Sequence, residues 1–209
     1  MLHSGRSKPN QRAHHAVVNI DTGERDLQQC ADAAIRLYSE YLWSRARQDE
    51  ITFRITNGMW VPWSRWERGE RLHLVQGERR WTRGGVRGRS RSLFRHYLRF
   101  VMGYAGTASL ARHQPRRALP DLAIGDVLVQ GGFPGHAVVV LDMAQSASGE
   151  KLVLLGQSYM PAQDFHVLRN SEEPGLSPWF RVGDLAAPWG LRTPEWRAFR
   201  QDDLRAMSP

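Results

Sequence analysis

Residues Gly125–Asp142, GDVLVQGGFPGHAVVVLD, carry the strongest β signal in the chain. Two runs rich in β-branched residues, Asp126 to Gln130 and His136 to Met143, flank a Gly/Pro turn that is too short for a crossover, so they are read as antiparallel strands. Gly135 allows close backbone approach, and period-two alternation puts His136, Val138, Val140 and Asp142 on one face. A histidine opening a strand in this way can reach a group at a neighbouring helix start.

The β pattern continues downstream. Lys151 to Gln157 and Phe165 to Leu168 are further strands, joined through QSASGE and SYMPAQD turns. Residues 172–209 are rich in Pro and Trp and read as an irregular wrap with aromatic anchors, ending in a short helix near Glu195 to Met207.

Upstream the signals mix. Ala16 to Asp21 is a short strand, and a helix should follow, capped by Asp26 with Gln29 three residues on. Leu27, Cys30, Ala34, Leu37 and Tyr41 recur at helical spacing, which puts Cys30 in or near the first turn. Glu50 to Thr56 alternates as a strand before an Asn57-Gly58 turn and the aromatic group Trp60, Trp63 and Trp66. Residues 79–92 read as a flexible Arg/Gly-rich loop, and a second helix spans Leu93 to Ala111 before a Pro-bounded linker, Pro115 to Pro120. Together these make residues 1–209 a single α+β domain: an antiparallel sheet packed against an N-terminal helix that carries the cysteine.

Composition narrows the function. With 41% hydrophobic and 24% charged residues the 209-residue chain can bury a core. No apolar run is long enough to span a bilayer. The net charge of +8 comes from arginine, Lys8 and Lys151 being the only lysines, so an anionic partner is one expectation. No nucleic-acid motif accompanies the basic stretch, and a nucleic-acid partner is not expected. A single cysteine forms no intrachain disulfide and no multi-thiolate metal site. His14, His15, His136 and His166 have no metal-ligand spacing, so neither metal nor cofactor is expected.

Cys30 is then either a small buried hydrophobe or a working thiol. A nucleophilic thiol must ionise, and a helix N-terminus with a nearby imidazole lowers its pKa. His136 is the candidate base. A third group should hold the other ring nitrogen, and Gln157, which returns along the next strand to the same sheet end, is the first choice, with Asp164 and His166 as alternatives. Asp142 lies too far along its own strand. Tyr159 is placed to donate to a substrate carbonyl, and His14 and Asp164 are candidate substrate contacts.

The order of Cys30 at a helix start, Gly135-His136 at a strand start and Gln157 on the next strand resembles the papain-like NlpC and CHAP cell-wall hydrolases. The resemblance implies an amidase or peptidase acting on peptide or peptidoglycan-like substrates. It also implies that Gln29, the residue before the cysteine, helps form the oxyanion pocket. Departures are the sequence Ala31-Asp32-Ala33, where an aromatic often follows the cysteine, and the long stretch between Cys30 and His136.

Over most of its length the chain is similar to a bacterial family known as domain of unknown function 4846, through KPNQRAHHAVVNID, DLQQCADAAIRLYSEYLW, TNGMWVPWSRW, YAGTASL, IGDVLVQGGFPGHAVVVLDMA and GQSYMPAQDFHVL. This second resemblance implies no particular activity. It implies an N-terminus that starts inside the domain, and extracytoplasmic placement where a longer precursor carries a signal. Three functions are carried forward: a cysteine amidohydrolase, a non-catalytic papain-like module that binds cell-wall or peptide ligands, and a basic polyanion-binding module.

Overall fold

The computed structural model describes residues 1–75 and 77–208. In chain order the elements are β1 (His14–Val17), α1 (Cys30–Ser44), β2 (Thr52–Arg54), β3 (Trp60–Pro62), α2 (Trp63–Glu67), β4 (Arg71–Val75), β5 (Glu78–Thr82), α3 (Arg91–Tyr104), α4 (Thr107–His113), β6 (Val127–Gln130), β7 (His136–Gln145), β8 (Lys151–Gln157), β9 (His166–Leu168), β10 (Trp179–Arg181) and β11 (Leu204–Arg205). Helices and antiparallel sheets together make the chain α+β.

The main sheet runs β1-β9-β8-β7-β6-β11, with β10 also paired to β8. Every pairing in it is antiparallel. The Gly125–Asp142 stretch forms its centre, where Gln130 faces His136 across the β6–β7 turn. Both faces of β7 are covered. Ala137 and Val139 join the cluster formed with α1, α3 and the buried rings of Trp63, Phe94 and Tyr97. Val138 and Val140 join the cluster closed by Phe180, Leu191 and Phe199 of the C-terminal segment. A strand buried on both faces must be apolar along its whole length, which is why AVVV replaces strict alternation.

Several elements differ from expectation. The first strand lies at His14–Val17, earlier than Ala16 to Asp21, because its partner is β9 and their register runs from His14–Leu168 to Val17–His166. Residues Arg79–Thr82, expected in the loop 79–92, pair with Arg71–Leu74 in the β4–β5 hairpin. The single helix expected over Leu93 to Ala111 is two helices. Gly106 is extended, and the Tyr104 carbonyl that would continue α3 accepts instead from the N–H and hydroxyl of Thr56. No helix forms over Glu195 to Met207. That segment holds a left-handed Glu195 (φ 71°), a 3-10 turn at Gln201–Asp203 and β11, which takes the free edge of β6. Within the aromatic group, Trp63 and Trp66 are core residues, and only Trp60 is exposed, under the Arg54 guanidinium.

No helix among the described residues is long and apolar enough to cross a membrane.

Candidate functional site

Helix α1 begins at Cys30 because Gln29, not Asp26, is its N-cap. The Gln29 N–H donates to the Asp32 carboxylate at 3.0 Å, so the first turn closes on itself. Asp26 serves the loop instead. Its Oδ1 accepts from the Ala162 N–H at 2.6 Å and from Gln29 Nε2 at 3.0 Å. Ser158 Oγ lies 2.8 Å from the carbonyl oxygens of both Gln28 and Gln163, which fastens the residues before Cys30 to the end of β8.

Cys30 thereby meets the mouth of β7. The backbone N–H groups of Ala137 and Ala31 are directed at its sulfur and favour the thiolate, yet burial outweighs them and pushes the thiol up to about 11. The residue is 9% exposed.

Three polar side chains line up across β7, β8 and β9 on the face opposite α1. His136, Gln157 and His166 are all buried, at 1%, 0% and 4% exposure. Gln157 Oε1 lies 2.7 Å from His136 Nε2, while Gln157 Nε2 lies 3.4 Å from His166 Nε2 and 3.3 Å from Glu195 Oε2. The hydrogen-bond logic of this row has one consistent solution. His166 Nδ1 donates to the Asp164 carbonyl at 3.0 Å, so its Nε2 is an acceptor. The Gln157 amide must then direct its NH2 at His166 and the Glu195 carboxylate, and its oxygen at His136. His136 therefore carries its proton on Nε2 and has a basic Nδ1, without a hydrogen-bond partner among the described residues. Burial draws the His136 imidazole down to about 4, against the smaller upward pulls of the Gln157 bond and the Glu195 charge. Burial likewise lowers His166. At neutral pH the resting pair is thus a neutral thiol and a neutral imidazole.

The row is roofed from both ends of the chain. Glu195 accepts from Lys8 at 2.5 Å and from Asn10 at 3.0 Å as well as from Gln157. Lys8 and Glu195 are nearly enclosed, with side chains 14% and 13% exposed. The His136 ring packs between Tyr159 at 5.0 Å and Trp196 at 5.1 Å. The sequence does not single out Glu195, Lys8 or Trp196 as site residues, because each reaches the row through partners far along the chain.

The other candidates lie elsewhere or are already engaged. Tyr159 adjoins His136, but its hydroxyl donates to the Glu195 carbonyl at 2.9 Å, so in this arrangement it is not free to meet a substrate carbonyl. The Gln29 side chain is bonded to Asp26 and not directed at an oxyanion position. Asp164 is not the partner of His136: its carboxylate accepts from Thr22 at 3.4 Å and from the Met1 amino group at 2.5 Å. His14 lies edge-on to His166, 6.3 Å between centroids, and lines a cavity of about 30 Å³ with Asp164 and His166, room for one water. Among the described residues no cluster of three or more His, Cys, Asp or Glu side chains is arranged to hold a metal ion.

Asp32 is the site's other unusual group. Burial raises its carboxyl to about 7, and its charge in turn raises the Cys30 thiol.

The sequence matches the family described as Domain of unknown function (4846) over residues 1–206, and the chain belongs to that family. No curated protein and no solved structure matches the chain.

Proposed function

Within that family, we propose that this chain is a papain-like cysteine amidohydrolase or peptidase acting on peptide amides, with cell-wall stem peptides as the substrate class. The observation that carries the reading is the 2.7 Å contact of Gln157 Oε1 with His136 Nε2, which leaves Nδ1 as the basic nitrogen of a histidine that opens β7, next in sequence to Ala137, whose N–H meets the Cys30 sulfur. In this mechanism Cys30 gives its proton to His136 Nδ1 as the sulfur attacks the carbonyl carbon. The tetrahedral intermediate then expels the amine, which takes that proton from His136. Water, deprotonated by the same nitrogen, cleaves the thioester and releases the acid. The Cys30 N–H at the start of α1 stabilises the oxyanion, joined by Gln29 Nε2 once its bond to Asp26 is exchanged.

Amine release from peptidoglycan fragments and from a synthetic peptide panel tests the reading. Cys30→Ala and His136→Ala should each abolish activity, and Gln157→Ala should reduce it. Hydrolysis that survives both abolishing substitutions rejects the mechanism.

A second reading rests on the same site's electrostatics. A thiol held up at about 11 beside an imidazole held down at about 4 suits a papain-like module that binds such peptides without cleaving them. Binding of the same fragments with no amine released, and unchanged by Cys30→Ala, selects it.

A further inference from the structure

A separate cavity lies between the loop Asp21–Arg25 and the helices α1 and α3, with a volume of about 380 Å³. That falls within the range of small-molecule sites. Its construction is legible in α3, where Arg95, Leu98, Arg99 and Met102 fall at i, i+3, i+4 and i+7 and so share one side of the helix. Two are apolar and two are cationic, which gives the cavity a hydrocarbon wall beside guanidinium groups. Across from them Arg36 rises from α1, its side chain 8% exposed, and Arg25 closes the mouth from the loop.

The charges do not cancel. Asp21, at the solvent-exposed wall of the cavity, is the one carboxylate paired there: its oxygens lie 2.6 Å from Arg36 and 2.7 and 2.6 Å from Arg95. Arg36 also donates to the Gln28 side chain and to the Asp21 carbonyl, so both inner guanidiniums are held in place. Arg25 and Arg99 have no carboxylate within ion-pair distance among the described residues. Four arginines against Asp21 and Glu24 leave two positive charges in excess around one concave volume. Around a concave surface such an excess raises the potential met by an entering anion, and guanidinium forks match the paired oxygens of carboxylates and phosphates. Arg25 and Arg99 are exposed, but they line one cavity with the half-buried Arg95 and the buried Arg36. These four converge.

We infer that this cavity is a binding site for a small organic dianion, a phosphate monoester or a dicarboxylate, held by Arg25, Arg99 and Arg95 with its hydrocarbon part against Leu98 and Met102. The site is independent of the proposed Cys30 chemistry, although Gln28, which lines it, is two residues from Cys30.

Isothermal titration of the full chain with phenyl phosphate and with glutarate tests it, and whichever probe binds identifies the oxyanion. The expected result is saturable one-to-one binding by at least one probe, weakening as salt rises. Arg99→Ala and Arg25→Ala should each lose roughly tenfold or more in affinity, the scale of one charge-assisted contact. Both residues are exposed, so the variants should melt like the parent. Arg79→Ala, on the exposed β5 strand, should bind unchanged, as should Cys30→Ala, so a failed hydrolase reading leaves this inference standing. Absence of saturable binding by either probe overturns it. So does a loss in Arg79→Ala equal to that in Arg99→Ala, which would mean that net charge and not the cavity binds the anion.

Discussion

Alkylation of Cys30 across a pH range measures how strongly its burial opposes ionisation. The thiol stands at about 11 against an ordinary 9.0, because desolvation outweighs the N–H groups of Ala137 and Ala31. At pH 8 a thiol at the ordinary value is about a tenth thiolate and one at 11 about a thousandth, so the folded chain should react ~100-fold more slowly from ionisation alone. The 9% exposure of the residue slows it further. Because Cys30 is the only cysteine, the intact mass after iodoacetamide reports on this sulfur alone. The rate should still be climbing at pH 10, and unfolding in guanidinium at pH 8 should restore the faster rate. A folded-state profile that levels off at or below pH 9 refutes the argument. It would mean that the helix start and the imidazole govern the sulfur, with a thiolate–imidazolium pair already formed.

Asp32→Asn keeps an acceptor for the Gln29 N–H but removes a carboxyl that folding raises from 3.8 to about 7. The wild-type contribution is full below pH 3.8 and lost as pH rises through 7, so urea melts should show the variant more stable by ~2–4 kcal/mol at pH 8 and equal to wild type near pH 3. His136 is displaced the other way, down to about 4 from 6.5, so its contribution is present above pH 6.5 and lost as pH falls toward 4. In His136→Gln the acid limb of the stability profile should flatten by about 3 kcal/mol across that window, whatever the variant's absolute stability. Glu195→Gln strands the nearly enclosed Lys8 ammonium and should cost ~1–3 kcal/mol in chemical denaturation, part of which Lys8→Met restores in the same background. Gly135→Ala places a methyl 2.3 Å from Thr107 Oγ1, 2.6 Å from the Gln130 carbonyl and 2.8 Å from the Gly132 nitrogen. Two of these are backbone atoms that cannot turn aside, so a loss of about 2–3 kcal/mol is expected in the same melts.

Local signals revealed the sheet centre and the Gln157–His136 pair. Gly135 and the two β-branched runs fix β6, the turn and β7, and from that hairpin the position of Gln157 follows by counting back along β8. The cap of α1 was misread because Asp26 and Gln29 satisfy the capping-box pattern locally, while the actual competitor for Asp26, the Ala162 N–H, is 136 residues away. The same distance effect hid β11, since a two-residue strand is defined by the edge of β6 it covers and not by its own residues. It hid Glu195 as well, whose importance lies in four partners drawn from Lys8, Asn10, Gln157 and Tyr159.

Those four contacts connect the site's chemistry to both ends of the chain. With the amide of Gln157 reversed, its oxygen would face the Glu195 carboxylate and its NH2 would face His136, so Glu195 is what makes one orientation the stable one. That orientation puts the His136 proton on Nε2 and leaves Nδ1 basic. Lys8 in turn holds the Glu195 charge in an enclosed place where an unpaired carboxylate would be costly. Basicity at Nδ1 and burial of the ring thus come from the same residues, Glu195 with Trp196 and Lys8. The groups that set this tautomer also enclose the ring, and that burial, against the upward pull of the Glu195 charge, keeps the imidazole neutral. The proposed proton transfer to His136 would therefore require the Glu195–Trp196 segment to shift enough to admit substrate without surrendering the Gln157 contact. Loosening that segment at Trp196 should speed alkylation of Cys30, whereas Glu195→Gln should disturb the His136 tautomer as well, a difference visible in the imidazole nitrogen shifts by NMR.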